Sequence, residues 1–308
     1  MWERLGVIYA PRGEQLWQKT HAFLPTPCLI SKDIIRVYAA SLDEAQIGRV
    51  GYIDLDARDP RKVLAVSQTP CLDIGAPGCF DDHGVSPTAI VRDGDAWRLY
   101  YTGWQLSSTI RYYLLTGLAI SHDGGQSFQR TSQTPMLERS NDELTVRTAP
   151  CLLFDHDVWK MWYIAGSSTI IVDDKQVPTY EMRYLESTDG LKWGSCGQTV
   201  MSPTGDDEYG FGRPCVVKKA AGYEMWYSVR TRSRGYHLGY ATSEDGLSWQ
   251  RQDHLAEFST EPEGWDSKMQ AFGTVVDSAF GRYIFYNGNE YGRTGFGAAR
   301  WVEPQRQP

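Results

Sequence analysis

The chain has 308 residues, with 31 Lys and Arg against 38 Asp and Glu, for a net charge of −7. That balance argues against a nucleic-acid or anionic-membrane surface, since phosphate-rich partners demand clustered basic side chains. No apolar run approaches a membrane span, and Met1-Trp2-Glu3-Arg4 does not begin a signal peptide, so the expectation is a cytoplasmic protein with a small or neutral partner.

Taken in chain order, Leu5-Gly6-Val7-Ile8-Tyr9 reads as an isolated strand. Pro27-Cys28-Leu29-Ile30 and Arg36-Val37-Tyr38-Ala39 follow as a pair of strands. The pairing then recurs. Pro87-Thr88-Ala89-Ile90-Val91 precedes Arg98-Leu99-Tyr100-Tyr101-Thr102-Gly103, and Pro150-Cys151-Leu152-Leu153 precedes Lys160-Met161-Trp162-Tyr163-Ile164. Pro214-Cys215-Val216-Val217 precedes Glu224-Met225-Trp226-Tyr227-Ser228, and Phe272-Gly273-Thr274-Val275-Val276 precedes Tyr283-Ile284-Phe285-Tyr286-Asn287. Ala39, Tyr101, Tyr163, Tyr227 and Tyr286 mark one station in five units of 59 to 64 residues.

Tight-turn residues such as Asp93-Gly94-Asp95 join the two strands of a unit. A third strand ends in a repeated phrase, Ser121-His122-Asp123-Gly124, Ser187-Thr188-Asp189-Gly190 and Ser243-Glu244-Asp245-Gly246, which leads to a fourth. The expected fold is therefore all-β, a five-bladed β-propeller with four antiparallel strands per blade, in one domain over residues 1–308. The N-terminal strand is expected to complete the last blade, whose own fourth strand is missing after Trp301. Eleven Trp, 18 Tyr and 10 Phe supply flat apolar surface between packed sheets.

Six cysteines show no zinc spacing, and no metal or other cofactor is expected. Cys28, Cys151 and Cys215 each follow a strand-opening Pro and read as equivalent buried apolar sites; Cys71 and Cys79 are close enough in sequence to pair.

In a propeller the loops before the innermost strands rim an axial funnel. Counting back six from each strand opening gives His21, Asp81, Leu144, Glu208 and Asp266, with Asp82, His83, Asp142 and Glu143 adjoining. Arg147, Arg213, Lys268 and Gln270 lie nearer the strand starts. Acids and bases at short range shift one another's pKa values and can divide acid and base roles. Any one of these acids is equally well explained as a turn cap; the set of five loops is less easily explained that way. The loops after the aromatic strands, Trp104-Gln105, Ser167-Ser168, Arg230-Thr231-Arg232 and Asn287-Gly288-Asn289-Glu290, return to the same face. Trp104 and Trp265 are the candidate stacking surfaces for a sugar ring.

The five units, the Leu99-Tyr100-Tyr101-Thr102-Gly103 strand, the Ser-x-Asp-Gly turn and an acid before Gly84-Val85-Ser86-Pro87 resemble the five-bladed β-propeller glycosidases, the superfamily of glycoside hydrolase families 43, 32, 68 and 130. The resemblance implies a catalytic Asp at the first innermost strand, an Asp at the second and a Glu at the third. It carries over to Asp82 (or Asp81) and to Glu143, whereas His21-Ala22-Phe23-Leu24-Pro25 offers no carboxylate. Glu208 or Asp266 could supply the missing group. The expected activity is cleavage or transfer of a glycosidic bond of a small carbohydrate substrate, with Asp82, Glu143, Glu208 and Asp266 as catalytic candidates. His21, His83, Trp104, Arg147, Arg213, Trp265, Lys268 and Gln270 are the substrate-binding candidates. The rim cations suit an anionic sugar, or the phosphate used by family 130 phosphorylases, which the residues resemble in having a single acid among bases. A non-catalytic carbohydrate-binding propeller and another reaction on the same scaffold are the alternatives.

Overall fold

The structure is all-β, and its strand pairing gives three four-stranded sheets, one eight-stranded sheet that runs through the second and third units, and a separate hairpin. A computed structural model describes residues 1–256, 258 and 262–303. Strand β1 (Trp2–Tyr9) is followed by β2 (Thr20–Leu29), β3 (Ile34–Leu42), β4 (Gly48–Asp56) and β5 (Val63–Val66), which form the first antiparallel sheet. The second holds β6 (Val85–Asp93), β7 (Ala96–Leu106), β8 (Tyr112–Ser121) and β9 (Gln129–Arg130). In the third unit β10 (Val146–Asp155) and β11 (Val158–Gly166) are interrupted by a separate hairpin, β12 (Thr169–Val172) and β13 (Lys175–Pro178), before β14 (Glu181–Ser187) and β15 (Gln198–Met201) complete the sheet. The fourth holds β16 (Glu208–Lys219), β17 (Gly222–Thr231), β18 (Gly235–Ser243) and β19 (Gln250–Arg251). The last holds β20 (Ala271–Ser278), β21 (Gly281–Asn287) and β22 (Phe296–Trp301), and β1 pairs antiparallel with β22 as its outer strand, Trp2 opposite Trp301. A two-residue parallel contact, Val146 with Leu114 and Arg147 with Leu115, joins the second and third units.

The repeated Ser-x-Asp-Gly phrase is a latch. Within each turn the Asp carboxylate accepts two backbone N–H groups, as Asp245 does from Leu247 and Ser248 at 2.8 Å each, while the Ser hydroxyl accepts the glycine N–H. The N–H groups of Ser248 and Leu247 hold the Asp245 carboxyl down at about 2. The turn's glycine carbonyl then accepts from an aromatic residue of the preceding unit: Tyr38 to Gly125 (2.7 Å), Tyr100 to Gly190 (3.0 Å) and Trp162 to Gly246 (2.7 Å). Gly246 has φ +78, and a Cβ there would stand 2.9 Å from the Trp162 ring, so this position requires glycine.

A second contact recurs at the Tyr station. Tyr101 donates to Asp81 (2.9 Å), Tyr163 to Glu143 (2.6 Å), Tyr227 to Asp253 (2.6 Å) and Tyr286 to Asp266 (2.7 Å). Each acid is also ion-paired to an arginine: Arg130 (2.7 Å), Arg183 (3.1 Å), Arg251 (2.6 Å) and Arg4 (2.5 Å) in that order. The first unit has Ala39 at the Tyr station, opposite Gly51, and the Trp17 ring lies on Gly51 instead. A unit without the tyrosine hydroxyl has no need of the acid that receives it.

The thiols need one correction. The register sets Cys151 opposite Trp162 and Cys215 opposite Trp226, but in the first unit it is Thr26 that faces Tyr38, and Cys28 faces Arg36. Cys28 is therefore two residues further along its strand and is not the equivalent of the other two. Cys151 and Cys215 sulfurs accept the N–H of Val216 (3.2 Å) and Val275 (3.3 Å), joining one innermost strand to the next. All six thiols are free, Cys71 and Cys79 included. No helix among the described residues is long and apolar enough to cross a membrane.

Candidate functional site

The innermost strands β2, β6, β10, β16 and β20 each send residues from their first halves to one cavity of about 460 Å³. Phe23 and Leu24 come from β2, Val85 and Ser86 from β6, Thr148 and Ala149 from β10, Gly212 and Arg213 from β16, and Phe272 from β20. At these strand starts the ladder is irregular: pairing slips between Phe23 and Thr26, Thr148 and Cys151, Gly212 and Cys215, and Ala271 and Thr274. Leu24, Ala149, Arg213 and Phe272 have positive φ there, of 55, 53, 23 and 57°. These bulges re-aim side chains at the points where the five strands converge.

The cavity is aromatic and cationic. Trp104 stands on its wall, its indole N–H 3.2 Å from the Ser86 hydroxyl and its ring edge-on to Tyr112 at 5.2 Å. Tyr180, Tyr236 and Tyr291 continue the aromatic wall, and Arg111, Arg213 and Arg230 supply charge. Among the described residues His21 and His83 are the histidines of the lining, and no Asp or Glu belongs to it. Among the described residues no group of three His, Cys, Asp or Glu is placed to hold a metal ion.

Of the substrate-binding candidates the cavity gathers His21, His83, Trp104 and Arg213. Arg147 is buried in an ion pair with Glu143. Trp265 packs on Tyr286 with ring centres 5.0 Å apart, and Gln270 is buried beside Asp266 at 3.4 Å; neither lines the cavity. Lys268 is exposed outside it. The acids are placed otherwise than expected. Glu143 and Asp266 are fully buried in the tyrosine and arginine contacts described above. Glu208 accepts both guanidinium ends of Arg251, at 2.6 and 2.8 Å; burial pushes its carboxyl up, but Arg251 and Thr204 outweigh this and hold it below the usual range.

Asp82 alone of the four catalytic candidates touches a lining side chain. Its carboxylate accepts the Gly78 N–H at 2.9 Å and lies 3.1 Å from Nδ1 of His83. The backbone N–H of His83 donates to the Trp104 carbonyl at 3.0 Å, and the backbone N–H of Trp104 to the Gly84 carbonyl at 2.9 Å, so the main-chain segments that carry the dyad and the indole are paired. His21 sits at φ +62 with Nδ1 2.9 Å from the Thr20 hydroxyl. Burial, and then the Arg293 charge, lower its pKa from the ordinary 6.5, against the opposing Glu290. A histidine with a depressed folded pKa binds fewer protons folded than unfolded, so it removes stability as pH falls below its unfolded value. His21→Gln is expected to flatten the wild-type loss of stability between pH 7 and pH 5, read from urea midpoints; an unchanged slope would contradict a neutral His21.

Arg111, Tyr112, Tyr180, Arg230, Tyr236 and Tyr291 also line the cavity, yet the acid and base count at the strand openings misses them. Arg230, expected in the loop after the aromatic strand, where a signal existed, lies instead near the end of β17, opposite Gly210 and Tyr236. Tyr180 follows the β12–β13 hairpin, signalled by the longer stretch between Tyr163 and Asp189 than between Tyr227 and Asp245.

No family model matches the chain. The uncharacterized protein MT1551 of Mycobacterium tuberculosis strain CDC 1551 is 37% identical over 298 residues, covering 97% of this chain and 98% of that one. Uncharacterized protein Rv1502 of strain H37Rv is 36% identical over the same length and shares. Among solved structures, a complex of BT0996 with RGII superposes with a TM-score of 0.75 at 16% identity, over 99% of this protein and 93% of that one. A structure from the GH130 family of mannoside phosphorylases, which contains glycoside hydrolases that target beta-1,2 mannosidic linkages in Candida mannan, gives 0.71 at 15%, over 100% and 95%. A thermostable family-43 glycoside hydrolase gives 0.66 at 16%, over 96% and 97%. With sequence identity through nearly its whole length to the two mycobacterial proteins, and the all-β fold of these glycoside hydrolase structures, the chain belongs to the family of MT1551 and Rv1502.

Proposed function

We propose that the protein is a carbohydrate-active enzyme that cleaves or transfers a glycosidic bond of an anionic sugar in the axial cavity, with its five sheets as the blades of one closed propeller. The observation that carries the reading is the convergence of all five innermost strands on a single cavity with an indole wall, histidines and arginines. Trp104 offers the flat face against which sugar C–H groups pack, and Tyr, Ser and Thr hydroxyls serve its polar edge. The superposed structures, a complex of BT0996 with RGII and one from a family containing hydrolases that target mannosidic linkages in mannan, support a sugar in this place. Six free thiols fit a reducing, cytoplasmic compartment.

In this reading His83 is the proton carrier facing the sugar, and Asp82 is the positioning residue that holds its ring through Nδ1. Hydrolysis by two carboxylates needs a pair roughly 5–10 Å apart across an open site. Among the described residues the lining has none, and we assign Glu143, Glu208 and Asp266 to the fold. Asp82→Asn is expected to lower kcat on the best substrate from a panel of neutral and acidic glycosides, with and without phosphate, by about a hundredfold. Unchanged turnover would remove the dyad. The lack of a lining carboxylate favours a second reading, a carbohydrate-binding propeller, and saturable binding without turnover of any panel member would select it.

A further inference from the structure

Among the described residues four arginines are buried: Arg36, Arg147, Arg213 and Arg230. Arg36 is ion-paired to Asp54 and Arg147 to Glu143, which is the usual condition for a charge removed from water. Arg213 and Arg230 have no carboxylate partner among the described residues, and both line the axial cavity. Their situations differ. The Arg213 head gives three hydrogen bonds to neutral acceptors, the Pro25 carbonyl (2.8 Å), the Thr26 hydroxyl (2.8 Å) and the Thr88 carbonyl (3.0 Å), so it ties β16 to β2 and β6, while its Nε has no hydrogen-bond partner among the described residues.

Arg230 gives one N–H to the Pro178 carbonyl at 3.1 Å, and its Nε has no hydrogen-bond partner among the described residues. Three tyrosine rings surround its guanidinium, Tyr209 at 4.5 Å, Tyr180 at 4.8 Å and Tyr236 at 5.2 Å. Ring faces stabilise a cation but bring no countercharge. Along the same wall the Tyr180 hydroxyl is 3.3 Å from that of Tyr112, on whose ring the exposed Arg111 lies at 5.6 Å. A second guanidinium thus stands further along one polar and aromatic surface.

We propose that Arg230 is the seat for a carboxylate carried by the sugar substrate, making it the residue that selects acidic over neutral sugars. The proposal rests on the reading of the cavity as the sugar site. With rings packed around the guanidinium, its free capacity lies along its planar edge, and a carboxylate is planar and matches that edge with two parallel hydrogen bonds. A phosphate dianion requires more donors and more charge. Among the described residues the lining contains no lysine, and Arg213 already gives three of its N–H groups to Pro25, Thr26 and Thr88.

The test uses titration calorimetry on the full chain with glucuronate, galacturonate, mannuronate and N-acetylneuraminate, each beside its uncharged carboxamide, and with inorganic phosphate. At least one acid is expected to bind about tenfold or more tightly than its amide, the size of a charge-assisted contact. Arg230→Gln is expected to abolish that ratio and Arg230→Lys to restore part of it, with folding checked by near-ultraviolet circular dichroism. The comparison of acid with amide on the wild type stands even if the variants do not fold. Acids that bind no better than their amides, phosphate that binds more tightly than every sugar acid, or a ratio unchanged in folded Arg230→Gln would each overturn the assignment. Turnover of neutral glycosides that depends on Asp82, with no acid preference, would sink the seat and leave the enzyme standing. An Arg230-dependent preference without any turnover would sustain the seat and sink the enzyme.

Discussion

Glu143→Gln is expected to cost about 3–5 kcal/mol of folding stability, seen as a lower denaturant midpoint at an unchanged slope. Glu143 is fully buried and its carboxylate is the shared partner of four donors: the Tyr163 hydroxyl at 2.6 Å, Gly197 N–H at 3.1 Å, Arg183 at 3.1 Å, and Arg147. The amide has nearly the same shape but one acceptor oxygen and no charge, so it leaves the buried Arg147 without its counter-ion. Most of the cost is that stranded cation rather than the lost attraction. The assignment of Glu143 to catalysis makes the opposite forecast, a normal denaturation midpoint with abolished turnover, and that result would return it to the active site.

Trp162→Ala is expected to destabilise the protein by about 3–5 kcal/mol, while Trp162→Phe costs less because the ring is largely retained. Trp162 is fully buried, packs against Tyr184, Tyr223 and Trp249, and donates its indole N–H to the Gly246 carbonyl at 2.7 Å. Removing it opens a cavity between the third and fourth sheets and orphans the carbonyl at the centre of the latch. Thermal unfolding followed at two wavelengths measures both variants. An alanine variant as stable as the wild type would mean that the repeated turn does not fasten neighbouring sheets.

These two residues show why the repeat exposes the architecture so readily and the site so poorly. Trp162 and the Ser-x-Asp-Gly turn recur because each unit must be fastened to the next in the same way, and the periodicity reports that directly. The tyrosine-bound acids recur for the same reason. Asp81, Glu143, Asp253 and Asp266 each receive a tyrosine hydroxyl from the aromatic strand, and the first unit, lacking the tyrosine, lacks the acid. A feature repeated in four units reports what the units share, whereas a reaction at one axis uses residues that differ between them. Asp82 with His83, Arg230 and the β12–β13 hairpin are such departures.

The strand stations, the five similar units, the turn chemistry and the return of the aromatic-strand loops to one face are all legible along the chain, because they follow from local dihedral preference and a fixed period. Which charged groups neutralise one another, and which are left facing the cavity, is settled in three dimensions. Ion pairing depends on approach within a few ångströms between residues such as Arg4 and Asp266, far apart along the chain, and no spacing rule encodes it. The consequence is a cavity whose lining, among the described residues, has arginines and histidines but no carboxylate, where the strand openings had suggested a ring of acids.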